Sequence, residues 1–121
     1  MAAILIVEDE PFLREIAEEL IQEWGHQILS ASDVAEALSH VRSSASIDLI
    51  FTDVCLKHEV NGGFELARQA VIARPAVRVL YATGNLMSDA LRLLFVDNAQ
   101  YIQKPYSASQ LRGSIDNLLA R

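Results

Sequence analysis

Positive charge is scarce in this chain. Ten Lys and Arg stand against sixteen Asp and Glu, for a net charge of −6. A nucleic-acid surface needs a basic patch, so direct nucleic-acid binding is not expected. Cysteine is nearly absent. Cys55 is the only one, which excludes an internal disulfide framework and a cysteine-built zinc site. Long apolar runs are missing too. The longest, Met1–Val7, falls far short of the roughly 20 residues a membrane helix needs. No basic residue precedes that run, and Glu8-Asp9-Glu10 follows where a signal peptide would place small residues and a cleavage site. Taken together, these absences lead us to expect a cytoplasmic protein that does not engage a membrane. His26, His40 and His58 share no metal-ligand spacing, so a histidine metal site is not expected either. What remains is globular usage: 51% hydrophobic and 21% charged residues exclude disorder. At 121 residues the chain reads as a single domain, 1–121. It is long enough to bury about two-thirds of its unfolded surface without staples.

Short apolar runs alternate with amphipathic helical patterns. Ala3–Val7 reads as a strand buried on both faces. Phe12, Leu13, Ile16, Ala17, Leu20, Ile21 and Trp24 recur at helical spacing among polar residues, predicting a surface helix with one apolar stripe. Pro11 suits its first turn and Gly25 its C-terminal end. Gln27–Ala31 is a second strand. Asp33 with Glu36 has the spacing of a capping box opening a second helix. Ile47–Thr52 is a third strand, followed by a polar loop and a third helix marked by Phe64, Leu66, Ala67, Ala70 and Val71. Val77–Ala82 is a fourth strand, and Leu86–Val96 a fourth helix, apolar almost all round, with some apolar area left exposed. Gln100–Gln103 is a fifth strand. Ser107 with Gln110 opens the last helix, again as a capping box. Five β-α units in series predict a parallel sheet with helices on both faces. The expected fold is α/β and flavodoxin-like: a doubly wound five-stranded parallel sheet in the order 2-1-3-4-5 with five helices.

In such sheets the chemistry sits at the carboxyl ends of the strands. The first strand ends in Glu8-Asp9-Glu10, the third in Asp53, the fourth in Thr83-Gly84 and the fifth in Lys104-Pro105. Each has an ordinary explanation on its own, such as acids favouring a helix N-terminus or turn chemistry at Thr83-Gly84. Together they make a cradle. Packed carboxylates repel unless a cation joins them, and magnesium takes oxygen ligands, waters and phosphate oxygens. A lysine and a hydroxyl opposite would hold a phosphoryl group, and one carboxylate could act as the nucleophile.

The segments Ile4–Pro11, Ile50–Asp53, Ala82-Thr83-Gly84 and Tyr101–Pro105 resemble the receiver domain of response regulators, over essentially the whole chain. The resemblance implies that Asp53 is the phosphoacceptor, taking phosphate from a histidine kinase or a histidine phosphotransfer protein. It implies a magnesium site on Glu8, Asp9, Asp53 and the backbone carbonyl of Cys55, with Thr83 and Lys104 against the phosphoryl group. It further implies a cis Lys104-Pro105 bond and a switch pair, Thr83 and Tyr101. The face formed by the fourth helix, fifth strand and fifth helix would then bind a downstream protein partner. Cys55 and Asn85 would flank the site and tune hydrolysis of the phosphate. Because the chain ends with its fifth helix, a stand-alone receiver is expected, one that catalyses only its own phosphorylation and dephosphorylation. The loop after Asp53 departs from the family: it carries no proline and about two extra residues before Gly62-Gly63. The alternative is a pseudo-receiver acting only as an interaction module, which the complete set Asp9, Asp53, Thr83 and Lys104 disfavours. A flavodoxin would need a Ser/Thr/Gly-rich phosphate loop where Glu8-Asp9-Glu10 stands. An aspartyl-phosphate phosphatase would want a general acid where Cys55 stands.

Overall fold

The computed structural model describes residues 1–84 and 86–121; Asn85, expected beside the site, lies outside them. The elements run β1 (Ala3–Val7), α1 (Pro11–Glu23), β2 (Gln27–Ala31), α2 (Val34–Val41), β3 (Leu49–Asp53), α3 (Gly62–Ala73), β4 (Arg78–Thr83), α4 (Asp89–Arg92), β5 (Ala99–Gln103) and α5 (Ala108–Leu119). The strands form one sheet in the order β2-β1-β3-β4-β5, and every pairing is parallel. This is the flavodoxin-like order expected from the alternation. No helix among the described residues is long and apolar enough to cross a membrane.

Side chains alternate across the sheet, as strand geometry requires. Ile4 and Ile6 of β1 face a core shared with Ala17 and Ile21 of α1 and Leu111, Ile115 and Leu118 of α5. Leu5 and Val7 face the other side, with Val34, Ala37 and Val41 of α2 and Leu66 and Ala70 of α3. A third cluster joins Phe64, Ala67, Val79 and Tyr81, with Phe95 and Tyr101 packed against it. Both faces of β1 and β3 are covered, so these strands are continuous apolar runs.

Helix ends follow their local chemistry. Pro11 stands in the first turn of α1, and Gly25 follows its end at φ 93, a backbone conformation suited to glycine. The capping box at Ser107 and Gln110 is complete. The one at Asp33 is half formed: Asp33 accepts from the Glu36 amide, but Glu36 reaches back to the Ser32 amide instead.

The apolar stripe of α1 is not all core. Ala17 and Ile21 are buried, whereas Phe12 is 67% exposed and Leu13 and Ile16 are also open. These three sit towards the start of the helix. One expectation is corrected: Leu86–Val96 is not one long helix. Only Asp89–Arg92 is α-helical. Ser88 caps its start by accepting from the Leu91 amide, which sets the beginning three residues after Leu86. Beyond it, Phe95 packs 4.7 Å from the Tyr81 ring, and the Val96 amide donates to the Tyr81 hydroxyl at 3.5 Å. Tertiary anchoring thus overrides helical periodicity. The expected exposed apolar area is present: Leu86, Leu93 and Leu94 all face outward.

Candidate functional site

Sheet register brings the predicted residues together. Val7 is level with Thr52, Asp53 with Ala82, and Thr83 with Gln103. Residues just past β1 therefore stand beside Asp53, and the chain leaving β5 stands beside Thr83.

Asp53 and Glu8 are each only 6% exposed. Lys104 reaches both: its Nζ lies 2.8 Å from Asp53 Oδ1 and 3.0 Å from Glu8 Oε1. The other Glu8 oxygen accepts the Glu10 amide at 3.1 Å, and the Glu8 carbonyl accepts from Arg14. Lys104 is positioned by its own backbone, whose N–H donates to the Thr83 carbonyl at 2.8 Å. The Lys104-Pro105 bond is cis. Thr83 is buried at the end of β4. Asp9 is half-buried, and its Oδ2 accepts the Lys57 amide at 2.8 Å.

The electrostatics follow from two buried carboxylates sharing one ammonium. Burial pushes the Asp53 carboxyl up to about 8, reinforced by Glu8 and opposed by Lys104. Burial also acts to raise Glu8, but hydrogen bonds from Asp53, the Glu10 amide and Lys104 outweigh it and hold Glu8 below the usual carboxylate range. Burial lowers the Lys104 ammonium's affinity for its proton, yet the Asp53 and Glu8 carboxylates reverse this and raise it overall. The pocket therefore retains a proton on Asp53 near neutral pH.

Glu8, Asp9 and Asp53 each offer a carboxylate oxygen, and these oxygens lie within 4.8 Å of one another. An all-oxygen donor set with surplus negative charge fits a hard divalent cation such as magnesium, which can replace the retained proton. Glu10 does not join them. It caps α1 by accepting the Leu13 amide at 2.9 Å.

The remaining expected residues lie around this pocket. Cys55 is exposed, with a free thiol, two residues past Asp53. Tyr101 is half-buried on β5 and packs towards α4. Its hydroxyl accepts from Arg92 at 3.1 Å, and the Arg92 guanidinium lies 5.1 Å from its ring centroid. None of the three histidines belongs to the acidic cluster. The His26 ring accepts the Ala2 amide, and the His40 ring lies 3.0 Å from the Ser30 carbonyl.

Two residues of the site escaped the sequence reading. Gly63 donates to the Val54 carbonyl at 2.8 Å, and a Cβ there would fall 2.1 Å from the Asp53 carbonyl oxygen. Only glycine lets α3 approach the Asp53 backbone so closely, and the Gly62-Gly63 pair at a helix start was the available signal. Lys57 is the other. No sequence pattern marks a lysine at φ 54 whose backbone amide serves Asp9.

A family model described as the response regulator receiver domain matches residues 4–116. Response regulator SaeR of Staphylococcus aureus (strain USA300) is 27% identical over all of this chain and 52% of its own length. The chain thus spans about half the length of the curated relatives it matches. A response regulator receiver domain protein from Clostridium thermocellum superposes with a TM-score of 0.87 at 28% identity, over 100% of this chain and 96% of that one. Response regulator TrrA of Thermotoga maritima, solved in complex with Mg2+-BeF, gives 0.81 at 28% identity, over 98% and 99%.

Proposed function

The chain belongs to the response regulator receiver domain family, and on that premise we propose that Asp53 accepts a phosphoryl group from a phosphohistidine of a histidine kinase or phosphotransfer protein. One observation carries this reading. Lys104 Nζ bridges Asp53 and Glu8, with Asp9 completing a cluster of carboxylate oxygens at the strand ends.

A carboxylate oxygen of Asp53 attacks phosphorus, and the P–N bond to the donor imidazole breaks. The bonding pair goes to the ring nitrogen, which takes a proton from solvent, and an aspartyl phosphate is left on Asp53. Lys104 pairs with the transferred oxygens, and the Thr83 hydroxyl donates to them. Magnesium, when bound, supplies positive charge that offsets the phosphoryl and carboxylate oxygens. Glu8, Asp9, Asp53 and the Cys55 carbonyl would hold it. The complex of TrrA with Mg2+-BeF supports a metal-dependent reading of the acidic pocket. Positioning and charge neutralisation supply the catalysis, so the chain promotes its own phosphorylation and dephosphorylation and no separate turnover.

The exposed Phe12, Leu13 and Ile16 begin one turn past Glu8 and give the phosphodonor an apolar surface to rest on. Output passes through α4, β5 and α5. Tyr101 sits on this face, and a groove of about 840 Å³ runs between β5 and α5, bordered by Gln103, Ser109, Gly113 and Asn117. Phosphorylation biases Thr83 and Tyr101 between two arrangements, and a partner prefers one of them.

Incubation with phosphoramidate and magnesium should add a single phosphoryl group, read by intact mass. An Asp53→Ala variant that gains the same adduct would place the acceptor elsewhere. Magnesium without any adduct on the wild type would favour a pseudo-receiver.

A further inference from the structure

We propose that the hairpin Leu56–Glu59 is the positioning element of the metal site, with the Lys57 backbone amide fixing the Asp9 carboxylate. This rests on reading the acidic cluster as that site. The hairpin lies in the stretch that is about two residues longer than in most receivers.

After Asp53 the chain is pinned to the sheet by the Val54 amide, which donates to Ala82. Leu56 and Glu59 then exchange hydrogen bonds at 3.0 and 2.9 Å and enclose the tight turn Lys57-His58. Leu56 is buried in the core beside α2 and α3, which anchors the hairpin from below. The Gly62 amide donates to the Glu59 carbonyl at 3.0 Å, tying the hairpin to the start of α3. At its tip Lys57 stands at φ 54, in the left-handed region where a side chain is uncommon. That conformation aims its amide at Asp9 Oδ2, 2.8 Å away and 48 residues distant in sequence. The Lys57 ammonium lies 3.5 Å from Asp33, the cap of α2, and secures the tip from the other side.

Among the described residues no other donor reaches the Asp9 side chain. A carboxylate offers about four acceptor positions, so one amide on Oδ2 leaves capacity for a cation. Donors behind a ligand hold it in its binding orientation, and their loss typically weakens metal binding about 10–100-fold. Backbone strain at a site is tolerated where the surroundings enforce it, and here Leu56, Gly62 and Asp33 do so.

The test measures magnesium affinity by calorimetry for the wild type, Lys57→Gly, Lys57→Pro and Asp9→Asn. Lys57→Gly keeps the amide and suits a positive φ, so its affinity stays within about twofold of the wild type. Lys57→Pro lacks the amide and weakens binding by about tenfold or more. Because proline also disturbs the turn, amide exchange in the metal-free wild type gives a second readout. The Lys57 amide should exchange far more slowly than that of His58, and Asp9→Ala, which removes the acceptor, should erase the difference. Equal affinity in Lys57→Pro, or equal exchange at Lys57 and His58, overturns the proposal. Asp9→Asn separates the two readings. If it binds magnesium as the wild type does, the cluster itself is not the metal site. If it binds weakly while Lys57→Pro does not, the cluster stands and only the hairpin's role fails.

Discussion

Asp53 is buried beside a second carboxylate with one ammonium to serve both, and this determines how the metal-free protein responds to pH. Its carboxyl is raised to about 8 from an ordinary 3.8. The folded state therefore binds this proton more tightly than the unfolded chain. The stability it contributes is fully present below about pH 4 and is lost as pH rises through about 8. The neighbours do not cancel the trend. Glu8 is lowered, so its contribution is already present throughout that upper range. Lys104 is raised from 10.5, so its contribution is lost only in more alkaline solution. Metal-free protein should accordingly lose stability from about pH 4 to about pH 8 in urea titrations. Asp53→Asn, which keeps the shape without the ionisation, should lose clearly less. Parallel profiles for the two proteins would mean that Asp53 does not hold the proton. Magnesium competes with the same proton, so its affinity should rise across this interval.

Two helices carry glycines in opposite circumstances, which makes them a matched pair. Gly63 begins α3 against Asp53, where an added Cβ would sit 2.1 Å from a backbone oxygen. Gly113 lies inside α5, exposed, where an added Cβ meets nothing within 4 Å. Gly63→Ala should therefore destabilise the protein by about 1–3 kcal/mol or more, since backbone must move, and should also slow phosphorylation. Gly113→Ala should stabilise it by about 0.5–1 kcal/mol through helix propensity. Denaturant midpoints measure both, and a neutral Gly63→Ala would contradict the close approach of α3 to β3. The same elements show what was legible in the sequence. The strands and the residues at their carboxyl ends could be read directly, because a parallel sheet fixes where those ends converge. Asp53, Glu8, Asp9 and Lys104 follow from that rule alone. Elements governed by tertiary contact were not legible. The periodicity of α1 marks its apolar stripe but not which of those residues are covered, and α4 reads as a long helix until Tyr81 takes the Val96 amide. The Lys57 amide is paired with Asp9, far away in sequence, and no local pattern encodes that contact.

Across the whole molecule, the charge balance of −6 has a local focus at one edge of the sheet. Glu8, Asp9 and Asp53 gather there against a single lysine, while Glu10 is taken up by the helix cap. Most other acids are spread over the surface, where screening makes them weak contributors. A cation that binds the folded pocket and not the unfolded chain must stabilise the entire fold, because the pocket is assembled from three strand ends and exists only when the sheet is formed. The gain is about 2.7 kcal/mol when magnesium is at 100 times its dissociation constant. For a domain of this size that corresponds to a rise of roughly 10 °C in the thermal midpoint. The rise should depend on the logarithm of magnesium concentration above saturation and should be largely absent in Asp9→Asn. Sodium at matched ionic strength should not reproduce it, which separates site binding from general screening of the acidic surface. An equal rise in wild type and Asp9→Asn would mean that the ions act on the diffuse charge and not on the pocket.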